Sequence, residues 1–273
     1  MYYYINDKFV NSNDASVPFS DGGFLYGDGL FETMRFDNRQ IFLPLKHLSR
    51  LNRGLKLINL TINKTADELL NILKAVIKKN TLDSGIIRLM VTRGITENKI
   101  EGYGCPNIYI SIKPFYEIPK NPVKVVYLDE TKYPIIRFTP AIKSMNYLGN
   151  MLAKKDADKK GAFEPVFYND KNLITECAIR NIFYIKNNTL YTPSLDLGIL
   201  SGVMRETIIE IAKSLNIKTF ETHLKVNEID AMDEAFISST GIGLLPCFWD
   251  GWTSDFNLTK QIKKELFNRI KNS

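Results

Sequence analysis

Apolar positions along the chain follow two rhythms, and the switches between them mark out its elements. Alternating, aromatic-rich stretches at residues 2–10 and 40–43 predict strands. Between them lies DGGFLYGDGLFETMR, residues 21–35, where Gly22, Gly23, Gly27 and Gly29 predict a tight turn leading into a strand. Leu45, Leu48, Leu51, Leu55 and Ile58 then recur at helical spacing. Thr65 and Glu68 form a capping-box pattern that opens a second helix, reaching about residue 80. Strands follow at 85–92 and 107–113. The run KPFYEIPKNP carries three prolines and no period, and reads as an interdomain linker. Beyond it come strands at 123–129, 164–168, 181–185, 189–191, 218–222 and 234–239, with helices at 146–160, 201–215 and 258–270. No steady strand–helix–strand repeat emerges. Two α/β or α+β domains are therefore expected rather than one Rossmann sheet: residues 1–115, a linker at 116–122, and a larger domain at 123–273.

Composition narrows the chemistry. A length of 273 residues suits two domains, and 44% hydrophobic with 24% charged residues are globular values. The net charge of +6 comes from cations scattered through the chain, so a concentrated nucleic-acid surface is not expected. There are two histidines, His47 and His223, which excludes a poly-His metal centre. Cys105, Cys177 and Cys247 lie far apart and form no C-x-x-C pair, a count that fits a reducing compartment. The N-terminus does not read as a secretory signal and no apolar run suits a membrane span, so a cytoplasmic protein is expected. Any acid–base chemistry must proceed mainly without histidine.

Several short stretches could carry that chemistry. The glycine stretch lacks the pattern of a dinucleotide fingerprint and the Gly-Lys-Ser/Thr of a P-loop. SGVMRE, residues 201–206, opens a helix, and backbone N–H groups at a helix start bind phosphate or carboxylate, though most such ends hold only water. Arg50 falls on the polar side of its helix, where a solvated arginine is the plain reading; His47 reads as a core-edge histidine. Lys143 sits between apolar neighbours, a setting that can lower a lysine's pKa and let it form an imine or act as a base. Glu176 adjoins a hydrophobic strand and needs a cationic or hydrogen-bonded partner if buried, for which a salt bridge suffices.

In their order along the chain these segments resemble the class IV pyridoxal-phosphate aminotransferases, the group of branched-chain and D-amino-acid aminotransferases and 4-amino-4-deoxychorismate lyase. The residues that carry the resemblance are F-x-Y-G-D-G-L-F-E-T-x-R at 24–35, H-L-x-R-L at 47–51 and I-K-S-x-N-Y-L-x-N at 142–150. They continue as T-E-x-x-x-x-N-I-F at 175–183, I-L-S-G-V-x-R-E at 199–206 and E-A-F-I-S-S-T-G at 234–241. The resemblance implies a two-domain fold type IV enzyme, D-amino-acid aminotransferase-like, whose domain at 123–273 binds pyridoxal 5'-phosphate. It implies that Lys143 carries the cofactor as an internal aldimine and, once displaced, moves the substrate proton. Glu176 would pair with the pyridine nitrogen, and Arg50 would bind the phosphate together with Gly202, Val203, Met204 and Thr240. Tyr147 would bond the phenolic oxygen and Leu200 would pack on the ring. A homodimer is also implied.

The same resemblance implies substrate contacts at Tyr26, Phe31, Thr33, Arg88 and Gly241. Tyr26 and Arg88 match positions that bind a second carboxylate or line the side-chain pocket in branched-chain enzymes. D-Amino-acid enzymes usually carry a tyrosine where Phe31 stands, and their R-x-H carboxylate trap has no counterpart in residues 95–104, so that substrate class loses ground. Thr33 stands where the lyases keep a threonine. The expectation is an aminotransferase moving an amino group between an amino acid, with branched-chain donors in view, and a 2-oxo acid. The alternative is a lyase releasing pyruvate and 4-aminobenzoate from aminodeoxychorismate, and a non-catalytic basic module is a third reading.

Overall fold

The computed structural model describes residues 1–95 and 105–271. The chain forms two compact units, Met1–Tyr116 with Ile142–Asn146, and Glu117–Ala141 with Tyr147–Asn272.

The first unit is a six-stranded antiparallel sheet with helices. Where alternation suggested one strand over 2–10, Asn6 and Asp7 both take positive φ, 42° and 69°, and fold the segment into a hairpin of β1 (Tyr2–Ile5) and β2 (Lys8–Asn11). Asparagine tolerates this left-handed geometry, which two-residue hairpin turns demand. The glycine stretch holds a five-residue helix, α1 (Gly22–Tyr26), before the long strand β3 (Gly29–Asp37). β4 (Gln40–Ile41), α2 (Pro44–Leu57), α3 (Ala66–Lys79), β5 (Gly85–Thr92) and β6 (Asn107–Lys113) complete it, in sheet order β2-β1-β6-β5-β3-β4. The capping box forms as the sequence predicts: Thr65 Oγ1 accepts from the Glu68 N–H, and Glu68 accepts from the Thr65 N–H. Leu48, Leu51 and Leu55 of α2 and Leu73 and Val76 of α3 share a buried core with Met34, Ile87 and Leu89 of the sheet.

Asp21 fastens the glycine stretch to this sheet. Its fully buried carboxylate accepts from the N–H groups of Gly23 and Phe24, from Thr92 Oγ1, from Asn107 Nδ2 and from Tyr109 Oη. A charge taken out of water is tolerable only with such a shell of donors.

The second unit contains β7 (Val123–Asp129), α4 (Leu148–Lys159), β8 (Glu164–Tyr168), β9 (Ile174–Cys177), β10 (Asn181–Lys186) and β11 (Thr189–Pro193). α5 (Val203–Ser214), β12 (Thr219–Thr222), β13 (Glu234–Ser239), β14 (Gly243–Phe248) and α6 (Asn257–Lys271) follow. Its mixed eight-stranded sheet runs β12-β11-β10-β13-β14-β7-β8-β9. Val166, Ile174, Tyr184, Ala235 and Ile237 centre its core, where the Tyr127 and Tyr184 hydroxyls bond each other at 3.1 Å. No helix among the described residues is long and apolar enough to cross a membrane.

The expected boundary needs one amendment. Residues 142–146, placed in the C-terminal domain by linear reading, pack with the first unit because their backbone pairs with β3. The Phe31 N–H donates to the Lys143 carbonyl at 3.0 Å, and the Met145 N–H to the Gly29 carbonyl at 3.0 Å. Gly29 makes that approach possible, since a Cβ there would stand 2.7 Å from Met145 Sδ. Glu117–Pro122, read as linker, falls in the second unit.

Candidate active site

Lys143 is held at its backbone by the pairing just described. Its Nζ lies 4.5 Å from the centre of the Phe31 ring, and the Arg88 guanidinium lies 5.0 Å from the same centre. Strand alternation puts Phe31 and Thr33 on one face of β3, and Thr33 pairs with Arg88 across β5. Phe31, Arg88 and Lys143 are thus one group, an aromatic ring flanked by two cations. Tyr26 ends α1 and is exposed.

The opposite face of β3 presents Glu32, buried to 1% exposure against α2. Arg50 grips it with two parallel bonds, Nε to Oε1 at 2.8 Å and Nη2 to Oε2 at 2.6 Å, and His47 Nδ1 lies 2.7 Å from Oε2. Burial alone would raise the Glu32 carboxyl, but the Arg50 charge and these bonds outweigh it and bring it down to about 2. Burial pushes His47 below its ordinary value in spite of Glu32. A neutral His47 therefore donates Nδ1–H to Glu32, and its buried Nε2 has no partner among the described residues. Arg50 is not the solvated arginine of the plain reading: two of its five N–H donors belong to Glu32. No motif marks the Glu32–His47 pair, although the sequence carries a signal for it: a carboxylate in an apolar strand, with His and Arg three residues apart on the next helix.

In the second unit, Glu176 on β9 is held at both oxygens. Arg137 Nη1 donates to Oε1, and the Leu200 N–H donates to Oε2 at 3.3 Å. Arg137 Nη2 reaches Glu130 Oε2 at 2.5 Å and Thr175 Oγ1 at 3.0 Å. Two carboxylates around one guanidinium leave a net charge of −1. Two residues beyond Leu200, Gly202 is the N-cap of α5 and caps it with no side chain, so the Val203 and Met204 N–H groups open the helix. A Cβ on Gly202 would come within 2.4 Å of Asn181 Oδ1. Asn181 in turn donates through Nδ2 to the Ser238 carbonyl and hydroxyl, both at 3.0 Å, at the end of β13. Thr240 and Gly241 form the turn that follows β13. Tyr147 is the N-cap of α4, its carbonyl accepting from the Met151 N–H at 2.9 Å.

Of the sequence-derived residues, Glu176, Leu200, Gly202, Val203 and Met204 lie along one short arc of the second unit, while Lys143, Phe31, Thr33 and Arg88 gather on the first. Residues 96–104, nine of the ten in which a carboxylate trap was sought, lie outside the described residues. The arc has a distinct chemistry. A carboxylate whose cluster is one charge negative suits a ring cation, and an uncapped helix start suits a phosphate. An anionic acceptor and a set of N–H donors, joined through Leu200, fit a phosphorylated pyridinium.

Known proteins resemble this chain along most of its length. The family model for amino-transferase class IV matches residues 29–247. A putative branched-chain-amino-acid aminotransferase of Methanocaldococcus jannaschii is 32% identical over 99% of this chain and 96% of its own length. A D-alanine aminotransferase of Listeria innocua is also 32% identical, over 89% of this chain and 85% of its own. Among solved structures, a branched-chain aminotransferase of Thermoproteus uzoniensis with norvaline superposes with a TM-score of 0.92 at 25% identity, covering 99% of this chain and 95% of that one.

Proposed function

The chain belongs to the class IV aminotransferases, enzymes dependent on pyridoxal phosphate, and from that premise we propose how its own residues divide the work. The cofactor, when bound, supplies the electron sink that takes up charge as a Cα–H bond breaks. Lys143 would hold it through Nζ and would supply the amine that moves the proton at the substrate's Cα. Glu176 faces the ring nitrogen and keeps it protonated. The Val203 and Met204 N–H groups, with Arg50 and Thr240, hold the phosphate, Tyr147 bonds the phenolic oxygen, and Leu200 packs on the ring. The observation that carries this division is the arc of the second unit, where an ionic carboxylate and an uncapped helix N-terminus are joined through the Leu200 N–H.

For substrates, the reading is a branched-chain amino donor and a dicarboxylic 2-oxo acid as acceptor. Arg88 takes the distal carboxylate, the Gly241 turn takes the α-carboxylate, and Tyr26, Phe31 and Thr33 line the side-chain pocket. Support comes from the branched-chain relative, which spans 99% of this chain, and from the Arg88 guanidinium standing beside Lys143 on one ring. The enzyme acts as a cytoplasmic homodimer in this reading.

A donor screen tests it. The purified protein should carry a visible absorption band that shifts on adding amino donor, and borohydride should lock the cofactor onto Lys143. L-Leucine, L-isoleucine and L-valine with 2-oxoglutarate should outpace D-alanine. Pyruvate and 4-aminobenzoate released from aminodeoxychorismate, with no 2-oxo acid needed, would establish the lyase instead. A Lys143→Ala protein with full turnover would overturn the assignment of Lys143.

A further inference from the structure

Glu176 does not stand alone on β9, and its surroundings include a residue that no sequence motif marked. Arg137 comes from the segment after β7 and ties three parts of the second unit together. Its guanidinium bonds Glu176 and Thr175 on β9 and Glu130 after β7, and its stem packs against the turn at Gly198, where a Cβ would meet Arg137 Cβ at 3.4 Å. That turn leads to Leu200, whose N–H holds the other oxygen of Glu176. Thr175 Oγ1 donates to Glu130 Oε2 at 2.9 Å, closing the ring of contacts. Glu130, Arg137 and Glu176 are all largely shielded from solvent, with side-chain exposures of 13%, 21% and 21%. Arg137 Nε is buried without a partner among the described residues, so the guanidinium is committed to the carboxylates at the expense of its own complete bonding.

We propose that Arg137, braced by Glu130, is a positioning residue for the ring nitrogen of the cofactor: it fixes the Glu176 carboxylate in place. Two carboxylates this close in a shielded site repel, and the Arg137 guanidinium between them offsets that repulsion. Because Glu130 contributes the second negative charge, the cluster still presents a net −1, which attracts a pyridinium where a simple Arg–Glu pair would be neutral. Burial alone would lower the Arg137 pKa, but the Glu176 and Glu130 charges outweigh it, in keeping with a guanidinium locked between them.

The proposal rests on Glu176 facing the ring nitrogen, and the test separates the two ideas. Apo-protein is titrated with pyridoxal phosphate and with its analogue carrying C–H in place of the ring nitrogen, and the ratio of the two dissociation constants is compared among variants. The wild type should favour the natural cofactor strongly. In Arg137→Met that preference should fall at least tenfold; in Glu130→Gln, which neutralises the cluster, it should fall several-fold. Arg137→Lys should retain part of it. In the loaded enzymes kcat should drop while KM for the amino donor stays nearly constant. A merely structural Arg137 would weaken both ligands equally and leave the ratio unchanged, and that result in Arg137→Met and Glu130→Gln overturns the proposal. If Arg137→Met does not fold by thermal unfolding, the isosteric Glu130→Gln decides alone. A wild type that binds both ligands equally well refutes the Glu176 contact itself.

Discussion

Glu32, His47 and Arg50 lie together, and the pKa shifts of Glu32 and His47 predict how the first unit responds to acid. His47 is held neutral below its ordinary value of 6.5, so the unfolded chain binds a proton there that the folded chain resists. Stability is therefore complete above pH 6.5 and begins to fall as the pH drops through that value. Glu32 lies at about 2 against an ordinary 4.5. Its contribution is present above pH 4.5 and is lost as the pH falls toward 2. Urea unfolding measured across pH should show both limbs. His47→Asn, which keeps a donor near Nδ1, should remove the upper limb and retain the lower one. Glu32→Gln should remove the lower limb and cost about 3–5 kcal/mol, because it leaves the Arg50 charge poorly compensated. A stability profile flat from pH 7 to 5 in the wild type would contradict the neutral His47. This triad shows what a linear reading misses: Arg50 looked solvated because helical periodicity reports which face of α2 is polar, not that a strand residue opposite, Glu32, is ionic.

At the scale of elements, the helices were legible because their signals are local. The Thr65 box, the leucine stripe of α2 and the glycine before α5 each act within one or two turns, and each element forms near its expected place. What escaped was partly local, the two-residue turn at Asn6–Asp7 that splits the first strand, and partly set by distant pairing: Asp21, which caps α1, is fixed by Thr92, Asn107 and Tyr109, and β14 pairs with β7. The α5 start makes a sharp test of element-level function. An alanine at Gly202 puts its Cβ 2.4 Å from Asn181 Oδ1, and Asn181 is pinned by two bonds to Ser238, so the first turn of α5 must shift. If the phosphate sits on those N–H groups as proposed, Gly202→Ala should weaken binding of pyridoxal phosphate about tenfold while changing affinity for phosphate-free pyridoxal little. Equal loss for both ligands would place the phosphate elsewhere.

At the scale of the whole molecule, two histidines excluded a poly-His metal centre, and the ordered motifs pointed to the family. Neither could reveal that Lys143 is carried by the first unit, because the bonds that hold it there run from its backbone to β3, 112 residues upstream at Phe31. Nor does composition count subunits, but the surface bears on that question. Phe19, Phe24 and Tyr26 are 81%, 62% and 71% exposed in the first unit, and the rings of Phe19 and Phe24 lie 5.8 Å apart. Aromatic side chains gathered in water on one short segment are costly to leave uncovered, and such patches mark association surfaces. Asp21 fixes the backbone beneath Phe24 and Tyr26: with five donors on its carboxylate it anchors α1. If the homodimer covers them, sedimentation equilibrium should give twice the chain mass of 31.3 kDa. A Phe19→Asp, Phe24→Asp double variant should then shift toward the monomer at micromolar concentration, with the fold retained by circular dichroism. A wild-type monomer with full turnover would remove the dimer from the reading, and an unchanged dimer in the double variant would move the interface to another face.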